Sequence, residues 1–252
     1  MKDRHLAILI GVISLAMVTG LWEFVSDHRI VSPALLPPPS SVARALVTLI
    51  ADGDIWQQLL HTAALFAGSY AIACVVGIAV GIWMGCSEFV DGLLQPIVEL
   101  LRPIPKSALV PALFLFLGIG PLTMVTVVVV AAVFPVLINV YQGVRGLDPV
   151  LSETARTFGC SRWRTIRSVV LPATLPAIFT GMKVALSLGI VLAVLAEMLA
   201  GQSGLGFIIL DTQRAFQTDQ MYAWVVVLAA FGAACSLLFD RIERFAIPWH
   251  GR

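Results

Sequence analysis

The chain has 252 residues, of which 59% are hydrophobic and 12% charged, and its formal net charge is +1. Soluble domains contain about 25% charged and about 45–50% apolar residues, so this composition excludes a soluble globular protein. The near-zero net charge gives no support for a nucleic-acid partner. The 4 cysteines show no paired metal-ligand spacing. We therefore expect neither a metal site nor a disulfide framework.

Apolar segments of about 20 residues predict membrane-spanning helices. Six occur along the chain, at positions 6–25, 61–86, 93–117, 121–141, 175–200 and 221–239. The first follows a basic start, as in a signal peptide. However, it is long enough to cross a bilayer and no small-residue cleavage site follows it, so we interpret it as a retained span. The expected fold is an all-α integral membrane protein with six transmembrane helices.

The segment between the first two spans contains a stiff proline run at 37–39. Ser40 or Ser41 is expected to cap a short amphipathic helix over about 42–50, which would lie at the membrane interface.

The third predicted span is interrupted by prolines, which remove helix hydrogen bonds and require compensation by neighbouring helices. We expect this span to be kinked and packed inside the protein. The prolines are Pro96, Pro103, Pro105 and Pro111.

Lysine and arginine are concentrated in the loops on one side of the predicted spans. Those residues are Lys2, Arg4, Arg145, Arg156, Arg162, Arg164, Arg167, Arg241, Arg244 and Arg252. The loops on the other side hold Arg29, Arg44 and Arg214. Because cytoplasmic loops are enriched in Lys and Arg, both termini are predicted to be cytoplasmic.

No repeat, low-complexity tract or linker divides the chain. We expect residues 1–60 to form the first transmembrane helix and an extracytoplasmic amphipathic segment. Residues 61–245 are expected to form a five-helix core with a short polar helix at about 149–159, and residues 246–252 a short cytoplasmic tail.

A polar insert, "ETARTFGCSRWRTIRSVVLP", separates the fourth and fifth spans. Asp148 and Pro149 predict the start of a helix over 149–158, and Gly159 predicts its end. Ser161 is expected to cap a second helix, and Pro172 and Pro176 to mark the start of the fifth span. The periodicity leaves two alternatives open, an elbow lying on anionic lipid and a knob that docks into a partner protein.

The insert resembles the cytoplasmic-loop signature of ATP-binding-cassette (ABC) importer permeases, E-A-A-x3-G-x9-I-x-L-P. The matching positions are Glu153, Ala155, Gly159, Leu171 and Pro172. Thr154 replaces an alanine and Val169 an isoleucine, but the spacing is intact. The resemblance favours the docking interpretation.

Three further stretches, "LLPPPSSV", "LLRPIPKSALVPALFLFLGIG" and "AEMLAGQSGLGF", look like the nitrate/sulfonate/taurine branch of these permeases, and the ending "PWHG" is similar to taurine-type members. In that branch "RPIP" is commonly followed by an apolar residue or proline, whereas this chain has Lys106.

The resemblance implies the type I ABC importer permease fold in the inner membrane of a bacterial cell. It also implies a permease pair, expected to be a homodimer, two copies of a separate ATPase subunit, and an extracytoplasmic substrate-binding protein. The short helix would be the coupling helix that contacts the ATPase. The residues this assigns to coupling are Glu153, Thr154, Ala155, Phe158 and Gly159. The alternative role of Glu153 is to stabilise the first turn of its helix.

We expect no cofactor in this chain, and ATP and Mg²⁺ in the ATPase subunit. The chain has no G-x-x-x-x-G-K-[ST] phosphate loop and no nucleophile–base arrangement. The alternative functions are a stand-alone ion-coupled secondary transporter, for which repeated broken spans are typical, and a membrane enzyme.

Ionisable residues inside spans are costly and usually functional. Arg102, Lys106 and Glu197 are therefore candidates for the path of an anionic or zwitterionic solute such as a sulfonate, taurine or nitrate. Arg102 is alternatively a partner for Glu99 three residues earlier. Glu197 is alternatively a cap for the glycine-rich loop that follows it.

Overall fold

The computed structural model describes residues 2–248, and the regular structure in that range is helical. The helices are α1 (Lys2–Asp27), α2 (Pro39–Asp52), α3 (Asp54–Cys86), α4 (Glu88–Leu101), α5 (Val110–Leu117), α6 (Pro121–Arg145), α7 (Pro149–Thr157), α8 (Arg162–Thr165), α9 (Leu171–Ala200), α10 (Leu205–Arg214) and α11 (Thr218–Ala246). A 3₁₀ turn at Lys106–Leu109 precedes α5, and a π-helical turn at Ile166–Val170 joins α8 to α9.

Within the described residues, 5 helical stretches are long and apolar enough to cross a membrane, and α4 with α5 makes a sixth span if this bent pair is counted as one. The stretches are Leu9–Asp27, Asp54–Cys86, Pro121–Arg145, Arg162–Ala200 and Thr218–Ala246. The expected all-α membrane fold is confirmed.

The third predicted span is broken more sharply than a kink. The axes of α4 and of the stretch Lys106–Leu117 meet at 88°. The break contains Pro103 and Pro105, whereas Pro96 lies inside α4 without ending it. Each proline of the break withholds an N–H group and disfavours helical backbone in the residue before it, so two prolines close together end the helix.

The centre of the bundle is formed by α3, α6 and α9, which pack against one another. Glycines spaced four residues apart on α3 face valines with the same spacing on α6. A Cβ atom at Gly81 would lie 2.8 Å from the Cβ of Val140 and 2.9 Å from the carbonyl oxygen of Leu137, and one at Gly77 would lie 2.8 Å from the Cβ of Val136. Small residues at these positions let the two backbones approach closely inside a membrane.

Replacing Gly81 with leucine is expected to force α3 away from α6 and to lower the free energy of unfolding by about 3 kcal/mol. The matched control is Gly68→Leu on the same helix, because a Cβ atom there meets nothing within 4 Å. The thermal-unfolding midpoint in detergent measures both. Equal shifts in the two variants would contradict the close packing of α3 on α6.

Helix α2 begins at Pro39, and the predicted serine cap is wrong. The N-cap residue is Pro38, without a side-chain cap. Ser40 instead donates from Oγ to Glu23 Oε1 at 2.7 Å, and its backbone N–H donates to Glu23 Oε2 at 3.1 Å. These bonds tie the end of α1 to the start of α2. The amphipathic character is confirmed, since Val42 and Leu49 are buried in a cluster with residues of α10 and α11.

Helix α9 begins at Leu171 with Pro172 in its first turn, as the prediction for the start of the fifth span has it. The helical backbone is nevertheless continuous over Arg162–Ala200, so neither Pro172 nor Pro176 interrupts it. A π-helical turn lies just before Pro172, and its backbone N–H at Leu171 donates to the carbonyl of Ile166. Proline lacks an N–H and its ring crowds the preceding turn, and the wider π turn makes room for that ring. The insert and the fifth span are therefore joined by one helix.

Candidate functional site

Helix α7 is capped at both ends. The Asp148 side chain accepts a hydrogen bond from the Val150 N–H at 2.9 Å. At the other end the N–H of Gly159 donates to the Arg156 carbonyl at 2.9 Å, and the N–H of Cys160 donates to the Ala155 carbonyl at 3.0 Å. This bond pair is the Schellman motif, which requires a left-handed residue at its turn. Gly159 fills that position with φ of 71°, so the predicted helix and glycine turn are confirmed.

The predicted coupling residues lie together on α7 and its C-terminal turn, with unequal exposure. Glu153 and Thr154 are exposed, and Phe158 is 81% exposed. Ala155 is only 6% exposed, because its face of α7 turns toward this chain. The small side chain of Ala155 therefore packs within the protein, and the assignment of this position to coupling stays a prediction.

A cleft of about 720 Å³ opens beside α7 at this end of the bundle, hereafter the α7 end. Its wall includes residues of the α3–α4 corner, the α6–α7 corner and α8, among them Glu88, Arg145, Arg156 and Arg162. Exposed apolar side chains occur at the same end, with Trp163 of α8 and Val150 of α7 facing outward. The α7 end thus presents a rigid helix, a cleft and apolar side chains to a neighbour.

Arg102 and Lys106 lie on either side of the bend between α4 and α5. Arg102 Nη1 is 3.8 Å from Glu99 Oε1, which shows the pair expected from their spacing. The ammonium group of Lys106 donates to the Leu101 carbonyl and lies 4.3 Å from the ring centre of Phe134. Lys106 therefore closes the bend by a backbone contact and a cation–π contact.

Glu197 is at 0% exposure near the end of α9. Its carboxylate accepts hydrogen bonds from Thr62 Oγ at 2.8 and 2.9 Å and from the Gly206 N–H at 2.9 Å. Thr62 Oγ in turn accepts from the Leu205 N–H at 2.8 Å. His61 Nδ1 lies 3.5 Å from Glu197 Oε1. Side chains of α3 and α9 thus cap the first N–H groups of α10, which otherwise have no intrahelical partner.

Steric crowding explains why glycine occupies two positions beside Glu197. A Cβ atom at Gly206 would collide with the Val194 carbonyl oxygen and lie 2.8 Å from Glu197 Cβ, and one at Gly204 would collide with the Glu197 carboxylate. Gly204 also has a φ of 105°. The arrangement matches the interpretation of Glu197 as a cap for the glycine-rich loop. Glu197 shares none of its hydrogen bonds or ion pairs within residues 2–248 with Arg102 or Lys106.

Two ion pairs between helices were not predicted from the sequence. Asp91 on α4 pairs with Arg145 on α6, and Lys183 on α9 pairs with Asp240 on α11 at 2.7 Å. Asp91 fell just before the assigned start of the third span, and Asp240 just after the assigned end of the sixth. An ionisable residue at the edge of an apolar run was the available signal.

The capped helix and glycine turn agree with the resemblance of the insert to the importer signature. Comparison with known proteins identifies the family. The family described as "Binding-protein-dependent transport system inner membrane component" matches residues 77–249. The chain belongs to this family. It is a membrane-spanning permease of an ABC importer, and the coupling signature lies within the matched region.

Among its relatives, the permease is 33% identical to the taurine transport system permease protein TauC of Escherichia coli strain K12, over 99% of this chain and 92% of TauC. It is 28% identical to the putative aliphatic sulfonates transport permease protein SsuC of Bacillus subtilis strain 168, over 95% of this chain and 87% of SsuC. These relatives confirm the predicted branch, and both are transport permeases rather than enzymes.

Solved structures show the fold. The MetNI methionine ABC transporter, in an inward-facing conformation, matches with a TM-score of 0.63 at 21% identity over 75% of the permease and 94% of the solved chain. An amino acid ABC transporter crystallised with histidines matches with a TM-score of 0.59 at 16% identity, over 79% and 96%. The permease has the type I ABC importer fold. The comparisons do not support the alternative of a stand-alone ion-coupled transporter.

Proposed function

We propose that this permease forms the membrane path of an importer for a small organic sulfonate, with taurine as the leading candidate. The support is the identity to TauC over nearly the whole chain. An extracytoplasmic binding protein delivers the solute, and a separate ATPase subunit binds and hydrolyses ATP with Mg²⁺. This chain needs no cofactor of its own.

Helix α7 is the element that docks into the ATPase. The main support is that α7 is capped at both ends and exposes Glu153, Thr154 and Phe158 beside a cleft. Because α8, the π turn and α9 form one continuous helix, a movement of α7 that passes through the Gly159 turn to α8 reaches the fifth span. ATP binding in the partner then selects between two permease conformations.

The assembly contains two permease copies, taken as a homodimer, and two ATPase copies, in a bacterial inner membrane. The α7 end faces the cytoplasm, as do both termini. The support is the concentration of arginine around α7 and α8 and at the end of α11, since Lys and Arg mark cytoplasmic loops.

The solute path passes the bend between α4 and α5, where Arg102 and Lys106 supply positive charge for a sulfonate. Glu197 acts at the C-terminal end of α9 by holding α10 in place, through hydrogen bonds from Thr62 and the Gly206 N–H, with His61 Nδ1 3.5 Å away. Its part in solute passage is indirect.

The test is to purify the permease in nanodiscs with its candidate ATPase and binding protein. We expect the ATPase to co-purify, the binding protein to retain taurine or an alkanesulfonate rather than methionine, and ATP to drive uptake of that solute. Retention of methionine alone would contradict the substrate class. Absence of any retained ATPase would contradict the importer assignment.

A further inference from the structure

Asp91, in the first turn of α4, is a buried carboxylate. The residue is 7% exposed, and its chain neighbour Val90 belongs to a buried apolar cluster with Met84 and Leu137. Its Oδ2 atom contacts the Arg145 guanidinium. Its Oδ1 atom is buried and has no hydrogen-bond partner among the described residues. Arg145 is therefore the compensation that the structure shows for this buried charge.

Arg145 occupies a junction in the fold. It is the last residue of α6, and Asp148, the N-cap residue of α7, follows after two residues. Its guanidinium also lies 5.8 Å from the ring centre of Tyr141, one turn earlier on α6. The side chain is thus anchored at the point where the chain leaves α6 and turns into α7.

The other residue of the pair belongs to a different helix. Asp91 lies on α4, which ends at the 88° bend that carries Arg102 and Lys106. The Asp91–Arg145 pair therefore joins the end of α6, just before the N-cap of α7, to the helix that reaches the bend. Helix α7 otherwise packs on the segment 162–170, which leads into α9 rather than α4.

We propose that the Asp91–Arg145 pair positions α7 against α4 and carries its movement to the bend between α4 and α5. The inference rests on the proposed docking of α7 to an ATPase. The pair is a positioning element that contacts neither ATP nor solute. It provides a second connection from α7, parallel to the continuous helix through α8 and α9.

The test replaces both partners by apolar residues of similar size, Asp91→Leu with Arg145→Met. The Asp91 side chain is 10% exposed and that of Arg145 is 43% exposed. Removing both charges together leaves no unpaired buried carboxylate, so little change in stability is expected. We expect the thermal-unfolding midpoint and ATPase co-purification to stay as in the unaltered permease. Solute uptake per ATP hydrolysed in proteoliposomes is expected to fall by about tenfold.

The charge-exchanged variant, Asp91→Arg with Arg145→Asp, restores the link and is expected to recover uptake per ATP. The matched control is Lys183→Met with Asp240→Leu, which removes the half-exposed pair between α9 and α11 and is expected to leave the ratio unchanged.

Unchanged uptake per ATP in the apolar variant would overturn the inference, since it would show that the pair only stabilises the fold. An equal loss in the control, or no recovery in the exchanged variant, would also overturn it. These outcomes leave the proposed function standing. That function fails instead if the unaltered permease retains no ATPase.

Discussion

Replacing Glu197 with alanine is expected to lower the free energy of unfolding by about 3–5 kcal/mol, because a buried, fully hydrogen-bonded group is removed. The Thr62 hydroxyl and the Gly206 N–H would lose their acceptor in a site without exposure to solvent. Helix α10 would lose one of the two side chains that cap its first turn. We expect its N-terminus to detach from α3 and α9.

The thermal-unfolding midpoint in detergent measures this effect. Glu197→Gln is expected to give a smaller loss, because the amide oxygen still accepts a hydrogen bond. The matched control is Glu99→Ala, whose side chain is 59% exposed and 3.8 Å from Arg102. Exposed pairs contribute about 0–1 kcal/mol, so a small shift is expected there. A small shift for Glu197→Ala as well would contradict the capping role.

Gly159→Trp and Glu153→Arg are expected to abolish ATPase docking and to lower solute uptake by at least about tenfold, while the permease still inserts. A Cβ atom at Gly159 meets nothing within 4 Å, so a bulky side chain there projects into open space where the ATPase is proposed to bind. The φ of 71° adds strain of about 1–2 kcal/mol. Reversal of charge at Glu153 is expected to weaken docking because we propose that this carboxylate pairs with a basic group on the ATPase.

Co-purification of the ATPase with each variant checks this expectation. Gly53→Trp is the matched control, since Gly53 has a φ of 82° and equally open surroundings. It lies between α2 and α3, at the end of α3 away from α7. ATPase retention is expected to persist in the control. Retention in both Gly159→Trp and Glu153→Arg would remove the support for docking through α7.

The α7 segment could be predicted from the sequence because its determinants are local. Asp148, Pro149 and Gly159 act within two or three residues of the backbone groups that they cap or turn. The predicted serine cap of α2 was wrong because a distant residue intervenes. Ser40 is bound by Glu23, 17 residues away, and a cap rule does not include a competitor on another helix.

The role of Glu197 depends on a contact that spans 135 residues to Thr62. Sequence spacing identified a costly carboxylate in a span but could not show that α3 and α10 close around it. The Asp91–Arg145 pair was missed because Arg145 was counted only as a charge that orients the protein. The 88° bend likewise exceeds the predicted kink, since the angle depends on how α4 packs against α3 and α5 against α6.

The central claim is that this permease couples ATP hydrolysis in a partner subunit to solute uptake, and vesicle uptake tests it most directly. Proteoliposomes contain the permease and its ATPase, and the binding protein and labelled taurine are added on the same side of the membrane. The account predicts accumulation that requires ATP and Mg²⁺ and persists when ionophores remove all ion gradients. Accumulation that follows an ion gradient without ATP would contradict it.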